Sequence, residues 1–476
     1  MRYKNIIYPL FTCSLLTISL FTSTTYAELK LPSGADRRPN LSVDPFERAR
    51  EAIRKLPTAE PEPAPRTESA PAQQAQPAAT FEQQEHGLAP TVVSSESGAS
   101  GDAFSYELAI TADALSINAG GITNADDNDG EEPTKTGVLG VVDLIGEYDT
   151  GAAGLWDDGL FFVYAAMIFG KGPSVGDLHG SSGIDGGEGT SAFRIVEAWY
   201  EHSFPYSHSS VLVGLHDFNG EFYVSEFASL FVNAGFGMGQ IIAENGGPSG
   251  YPIPTLGTRI KAEVTEKIYF QAAAYTAAPS DEAYNKVFEA NLPANDEVFL
   301  ATEFGMINKE PGEGGYYKAG IGLWYLRADQ QGFEDLNGTP VFTEAEAKPG
   351  NAGVYVLAEM SIGEKLGIFF KHGRGKKEFN QFSQFYAAGL NYTGLIPGRE
   401  EDVLGLGLVH TRQSAAYLDA TDNSTFVAET AFEITYTTNL TDWLSVQPDF
   451  QYIQQPSMST ELANTMVMGV RVSAAF

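Results

Sequence analysis

Groups able to do covalent chemistry are present in the sequence, but not at spacings that would let them work. The seven histidines, His86, His179, His202, His208, His216, His372 and His410, show no metal-ligand spacing such as HExxH, and no GxSxG turn presents a nucleophile. The acidic run from Asn124 to Glu132 looks like a calcium loop. Setting Gly130 at the obligatory glycine, however, puts Ala125 at the first ligand position and Thr136 at the last, which excludes an EF-hand. The glycine-rich stretch from Gly176 to Gly189 has no following Lys-Ser/Thr and no helix, so it is no phosphate cradle. No metal or cofactor is therefore expected. What remains is a set suited to non-covalent exchange of hydrogen bonds with water and hydroxyl groups: Arg194, Glu197, Trp199 and Glu201 in one stretch, His216 and Asp217 in the next, Asn219, Glu221, Glu226 and Asn233 beyond them, then Arg259 and Lys261.

The elements that position these residues read as strands. Hydrophobic residues make up 43% of the chain and charged residues only 19%, with 50 Gly, 22 Tyr and 30 Phe, which favours many short strands over membrane helices. Period-two alternation runs from Phe104 to the last residue. Phe104, Tyr106, Leu108 and Ile110 oppose Ser105, Glu107 and Thr111; Leu256, Ile260, Ala262 and Val264 oppose Arg259, Lys261 and Glu263. Phe432, Ile434 and Tyr436 oppose Glu433 and Thr435; Val446, Phe450 and Tyr452 oppose Gln447, Asp449 and Gln451; Met466, Met468 and Val470 oppose Thr465, Gly469 and Arg471. About sixteen such segments are expected, near 104–117, 136–149, 159–169, 193–204, 209–218, 255–264, 266–277, 298–307, 315–328, 351–362, 366–374, 385–394, 402–411, 426–438, 443–453 and 465–476. Those near 159 and 351 are apolar on both parities and leave their facing open.

Long and short connections alternate, as they do when long loops face outward and short turns face the periplasm. The fold class is thus all-β, a transmembrane antiparallel barrel of about 16 strands over 101–476. Closure satisfies the backbone polar groups that an open sheet would strand in hydrocarbon. A ring this wide cannot be filled by its own side chains, so its middle is a water channel. The longest connection, Asn219 to Pro254, carries Phe222, Tyr223, Phe227, Leu230, Phe231, Phe236 and Met238, residues that need burial. It is expected to fold inward and narrow the channel.

Upstream, Met1–Ala27 reads as a signal peptide, with Arg2 and Lys4 before an apolar stretch and Thr25-Tyr26-Ala27 at the cleavage end. Cys13, the only cysteine, lies within it. Residues 28–100 hold ten of the 25 prolines and read as a proline-rich periplasmic linker, with a possible short amphipathic helix at 44–56. Contact with the cell wall through 28–100 is one reading of that arm, a plain tether another. The net charge of −32 argues against nucleic acid as a partner.

Several motifs in order resemble the carbohydrate-selective porins of the OprB type: RIVEAWYEHSF (194–204), VGLHDFNGEFYVSEFASLFVNAGFGMG (213–239), NGGPSGYPIPTLGTRI (245–260), AAGLNYTGLIPGREEDVLGLGLV (387–409) and the ending WLSVQPDFQYIQQP…MGVRVSAAF. The resemblance spans most of Phe104–Phe476. It implies a sixteen-stranded outer-membrane barrel narrowed by inward loops, through which sugars such as glucose diffuse, acting as a monomer or a trimer among outer-membrane lipids. The proline-rich arm departs from the simplest members. On this reading the twelve residues from Arg194 to Lys261 named above are pore-lining candidates that exchange water for sugar hydroxyls while aromatic rings meet pyranose C–H faces. Each also has a plainer reading: Trp199 as a girdle aromatic, Glu201 at the periplasmic rim, the carboxylates as solvation of the lumen. A general or cation-preferring porin is the alternative function, a tether from outer membrane to cell wall a minor one. Enzymatic activity is not expected, because wide barrels seldom exclude water from a catalytic geometry.

Overall fold

The computed structural model describes residues 103–121, 136–172, 183–243, 245, 247–248, 250–253, 255–276, 298–309, 314–329, 349–377, 380–420, 427–458 and 463–476. The expected signal peptide, the linker at 28–100, the helix at 44–56 and the acidic run at 124–132 lie outside the described residues.

Sixteen strands follow one another in chain order: β1 (Phe104–Gly121), β2 (Thr136–Asp149), β3 (Gly159–Lys171), β4 (Ala192–Phe204), β5 (Ser209–His216), β6 (Thr255–Thr265), β7 (Ile268–Thr276) and β8 (Val298–Ile307) form the first half. The second half is β9 (Tyr317–Asp329), β10 (Pro349–Ile362), β11 (Leu366–Gly375), β12 (Phe382–Thr393), β13 (Val403–Gln413), β14 (Ala428–Thr441), β15 (Leu444–Gln454) and β16 (Ala463–Ala475). Each pairs antiparallel with its neighbours, and β1 pairs with β16, Ala109 opposite Ala475 through Gly121 opposite Ala463, so the sheet is a closed barrel. Closure leaves no edge strand, which is what permits a sheet to sit in hydrocarbon.

Alternation sorts the two faces as the sequence pattern predicts. Phe104, Tyr106, Ile260, Val264, Ile434, Met468 and Phe476 are exposed on the outer wall. Thr111, Asp113, Arg259, Glu433, Gln451 and Arg471 are buried on the inner one. At the short-connection end the outer wall carries a belt of Phe104, Tyr106, Phe161, Phe204, Tyr317, Trp443 and Phe476, the amphipathic rings that favour a membrane interface. The two segments of undecided facing are now placed. In β3, Phe162, Tyr164 and Ile168 turn inward and are buried, while Phe161, Val163 and Met167 turn outward. In β10, Tyr355 and Leu357 turn inward. Their inner faces are apolar because loops cover them.

The inner wall is accordingly less uniformly polar than the alternation suggests. One buried cluster joins Phe299, Trp324, Tyr355, Phe369 and Phe385 of the wall to Phe218, Phe222, Tyr223, Phe231 and Phe236 of the connection between β5 and β6. Burying each such aromatic contributes on the order of 1.5–3 kcal/mol.

Candidate functional site

The described residues of the connection, between Asp217 and Ile253, are held against the inside of the barrel from one wall to the other. Its root is on β4–β6. Arg259, only 2% exposed, grips Glu221 through Nε and Nη2, and its Nη1 reaches Glu201 at 2.9 Å and Ser210 at 2.7 Å. Burial would push the Glu221 carboxyl up, but Arg259 and then Lys261 outweigh it and hold the group down at about 2. Beside this pair, Asp217 caps a 3-10 turn over Phe218–Gly220: its Oδ1 accepts from the Asn219 amide at 2.8 Å, and its Oδ2 accepts from Tyr251 at 3.4 Å. Those bonds favour the charged form, yet burial dominates and pushes this carboxyl up to about 6.

A local irregularity brings the β4 candidates together. Tyr164 pairs with Glu197 and Ala165 with Ile195, so Val196 is a bulge. The extra residue resets the alternation, and Arg194 and Glu197, which a strict period of two would send to opposite faces, are both buried inside. Trp199 is an inner residue, not a girdle aromatic: its ring stacks on Phe162 at 4.6 Å and its N–H donates to Glu197 at 3.0 Å. Glu197 also accepts from the Asp217 amide at 3.3 Å, and His216 bonds the Tyr275 hydroxyl at 2.8 Å. Arg194 donates Nη2 to the Thr190 carbonyl at 3.3 Å, while its Nε and Nη1 find no partner among the described residues. Lys261 is half-buried on β6, close enough to act on Glu221.

Beyond the root the loop spans the barrel on inward-facing carboxylates that accept from its backbone. Glu303 of β8 accepts from the Tyr223 amide at 3.0 Å and also from the hydroxyls of Tyr269 and Tyr355 at 2.8 Å each. Glu359 of β10 takes the Ser225 hydroxyl at 2.6 Å and the Phe227 amide at 3.3 Å. Glu433 of β14 takes Val232 at 2.7 Å and Asn233 at 3.0 Å. Amides supply the rest: Asn391 to the Phe227 carbonyl, Gln447 to Leu230, and the Asn233 side chain to Gln451 at 3.1 Å. Lys371 of β11 donates to the carbonyls of Phe236 and Gly237 and lies over the Tyr223 ring at 4.3 Å. Hydrogen bonds to charged groups contribute about 1.5–3 kcal/mol each, so the loop is fixed, not draped.

Where the loop lands, β11–β13 make room for it. Inward glycines replace side chains: a Cβ on Gly405 would meet Leu230 at 2.8 Å, on Gly407 Phe236 at 2.5 Å, on Gly367 Phe227 at 2.7 Å and on Gly373 Ile241 at 2.5 Å. In VLGLGLV the leucines thus face outward and the glycines are seats for the loop. A smaller inward piece lies between β3 and β4. There Asp185 meets Arg471 at 2.9 Å, Arg471 also holds Asp113 across the β1–β16 seam, and the Ile184 carbonyl accepts from Gln451 at 2.9 Å. Burial pushes the Asp185 carboxyl up against the pull of Arg471.

Of the twelve candidates, nine gather at the root: Glu197, Trp199, Glu201, His216, Asp217, Asn219, Glu221, Arg259 and Lys261, while Arg194 stands apart on β4, bonded to the Thr190 carbonyl. Asn219 lies under Gly237, whose Cβ would be 3.5 Å from its Nδ2. Glu226 pairs with Lys318 at 3.6 Å and Asn233 bonds β14 and β15, so these two belong to the far side. Sequence reasoning placed Glu433, Gln447 and Gln451 on the inner face without recognising them as anchors, and it missed Glu303, Glu359, Lys371 and the glycine seats. The usable signal was a lone carboxylate, or a run of glycines, on the inner parity of an otherwise apolar strand.

The family description "Carbohydrate-selective porin, OprB family" matches residues 139–476. Porin B of Pseudomonas aeruginosa is 24% identical over 254 residues, 48% of this chain and 56% of that protein, so the chain spans little more than half the length of this relative. The high-pH structure of Pseudomonas putida OprB is alike in fold, with a TM-score of 0.67 at 20% identity over 79% of this chain and 94% of that one.

Proposed function

Since the chain belongs to the OprB family of carbohydrate-selective porins, a family of outer-membrane channels, we propose that it lets glucose-like mono- and oligosaccharides diffuse passively into the periplasm. The observation that carries this reading is the seating of the loop: a wide barrel is narrowed by a polypeptide fixed on both sides, so small solutes meet its polar groups before they pass. The half-buried Glu221, Glu226 and Lys261 are the groups we assign to sugar hydroxyls along that passage. A pyranose offers hydroxyls that replace water on such groups without leaving them unsatisfied.

A second reading, a cation-preferring porin, is favoured by Glu107, Asp143 and Glu147, inner-face carboxylates of β1–β2 that form no ion pair among the described residues. Two measurements separate them. In liposomes of the purified protein, swelling in glucose or maltose should outpace swelling in uncharged solutes of equal size, and added sugar should reduce single-channel conductance in planar bilayers. Strong cation selectivity by reversal potential, with no reduction by sugar, would establish the second reading in place of the first.

A further inference from the structure

The outer wall of β10–β14 is graded along its height in a way the channel does not require. Register places five residues in each transverse row on this face. Nearest the short-connection end the row is Ile362, Leu366, Tyr392, Leu404, Tyr436; above it come Met360, Ile368, Leu390, Leu406, Ile434, then Ala358, Phe370, Ala388, Leu408, Phe432. The next row changes character: Val356, His372, Tyr386, His410, Thr430, with His372 stacked on Tyr386 at 4.3 Å. The last row, at the long-connection end, is Val354, Arg374, Gln384, Arg412, Ala428.

Arg374 and Arg412 are exposed and face outward, because Lys371 and Thr411 of the opposite parity bond the inward loop. Neither arginine has an ion pair or hydrogen bond among the described residues, and they flank Gln384 two strands apart, about 10 Å. No Asp or Glu occurs among the outward-facing described residues of β10–β14, in a chain of net charge −32. Glu378, in the connection that follows β11, lies outside the described residues.

We propose that this row is a docking site for a phosphorylated lipid of the outer leaflet. Two guanidiniums with a side-chain amide between them match phosphate oxygens by charge and by donor geometry. The rows beneath continue the match, since the His/Tyr row lies at the interface and Phe370, Leu408 and Phe432 offer acyl chains an apolar wall. That order, cation above ring above aliphatic, fits an amphiphile standing along the barrel; a free anion or an acidic peptide would use only its top.

The test uses the full chain in detergent, titrated with bis-phosphorylated lipid A and read by native mass spectrometry as lipid retained per barrel. The wild type should retain lipid A, and R374Q/R412Q should need at least tenfold more lipid for the same retention. Dephosphorylated lipid A should lose retention to the same degree on the wild type. Gln384→Glu, which sets a carboxylate between the guanidiniums, should weaken retention; Gln384→Lys should not. Heat-modifiable mobility and unchanged conductance show that each variant is folded with its lumen intact. Equal retention by wild type and double variant overturns the proposal. So does inorganic phosphate competing as well as lipid A, which would mean a bare anion site, and so does a change of oligomeric state in place of lipid loss, which would mean a subunit contact.

Discussion

The inward loop leaves one wall and lands on another, and the two walls hold it by different physics. At β4–β6 the hold is electrostatic: one buried guanidinium shared by Glu221 and Glu201, with a capped turn beside it. At β11–β13 the hold is mainly steric: glycines are cleared from the inner parity, with Phe227, Leu230, Phe231, Phe236 and Ile241 in the space they leave, while Lys371 and Asn391 add bonds to the loop carbonyls. The root should therefore respond to protons and counter-charge, and the landing to volume. On β8, β10 and β14, Glu303, Glu359 and Glu433 grip mainly backbone and are indifferent to most loop side chains.

Arg259→Ala should have the largest effect. It leaves two carboxylates inside the barrel without their cation, a loss of about 3–5 kcal/mol. The expected outcome is faster proteolysis within 217–253 and higher, noisier single-channel conductance, with the barrel still heat-modifiable. A tight loop in this variant would break the claim that charge holds the root.

The pH response of the root tests the same side. Asp217, pushed up from 3.8 to about 6 by burial, is better protonated in the fold, so its contribution weakens stability as pH rises from about 4 to about 6. Glu221, held at about 2 against 4.5, contributes fully above its unfolded value and loses that contribution as pH falls toward 2. Acidification from neutral to about pH 4.5 should raise amide protection over 218–223, corrected for the intrinsic exchange rate, and acidification below about pH 4 should lower it, each limb on the order of 2 kcal/mol. Asp217→Asn should abolish the first limb and spare the second.

Gly407→Val probes the landing. Its added carbons meet Phe236 and Phe231 and cost about 1–3 kcal/mol. Conductance should change as it does for Arg259→Ala, but with the wild-type dependence on pH. If the pH dependence shifts too, the two walls are not independent. The smallest effect belongs to Trp199→Phe, which keeps the stack on Phe162 and removes the N–H to Glu197, about 1 kcal/mol by thermal melting. A loss as large as that of Arg259→Ala would mean that packing, not charge, secures the root.

The strands and their faces were legible because lipid and water impose period two on every residue of a spanning strand. Segments expected near 209–218 and 385–394 differ from β5 (Ser209–His216) and β12 (Phe382–Thr393) by only a few residues at their ends. The charged root was legible as residue types, since Arg259, Glu221 and Glu201 have little business inside a protein unless paired. Its geometry was not, because the bulge at Val196 leaves no mark in composition and moves Arg194 to the other face. The landing was hidden for the opposite reason. Gly405 and Gly407 between leucines look like a poor strand, and their purpose appears only once Phe231 and Phe236, some 170 positions earlier, are seen to fill the gap.

The seam between β1 and β16 carries a consequence for assembly. Its partners, such as Asp113 and Arg471, stand 358 positions apart, and the same arginine also ties in Asp185. All sixteen strands can zip up locally through fifteen consecutive pairings, yet the ring stays an open ribbon with two raw edges until its terminal staves meet. Folding of this chain is therefore slow at its last event and exposed to mis-pairing between ribbons just before it, and Arg471 acts as a latch that only the finished ring can engage.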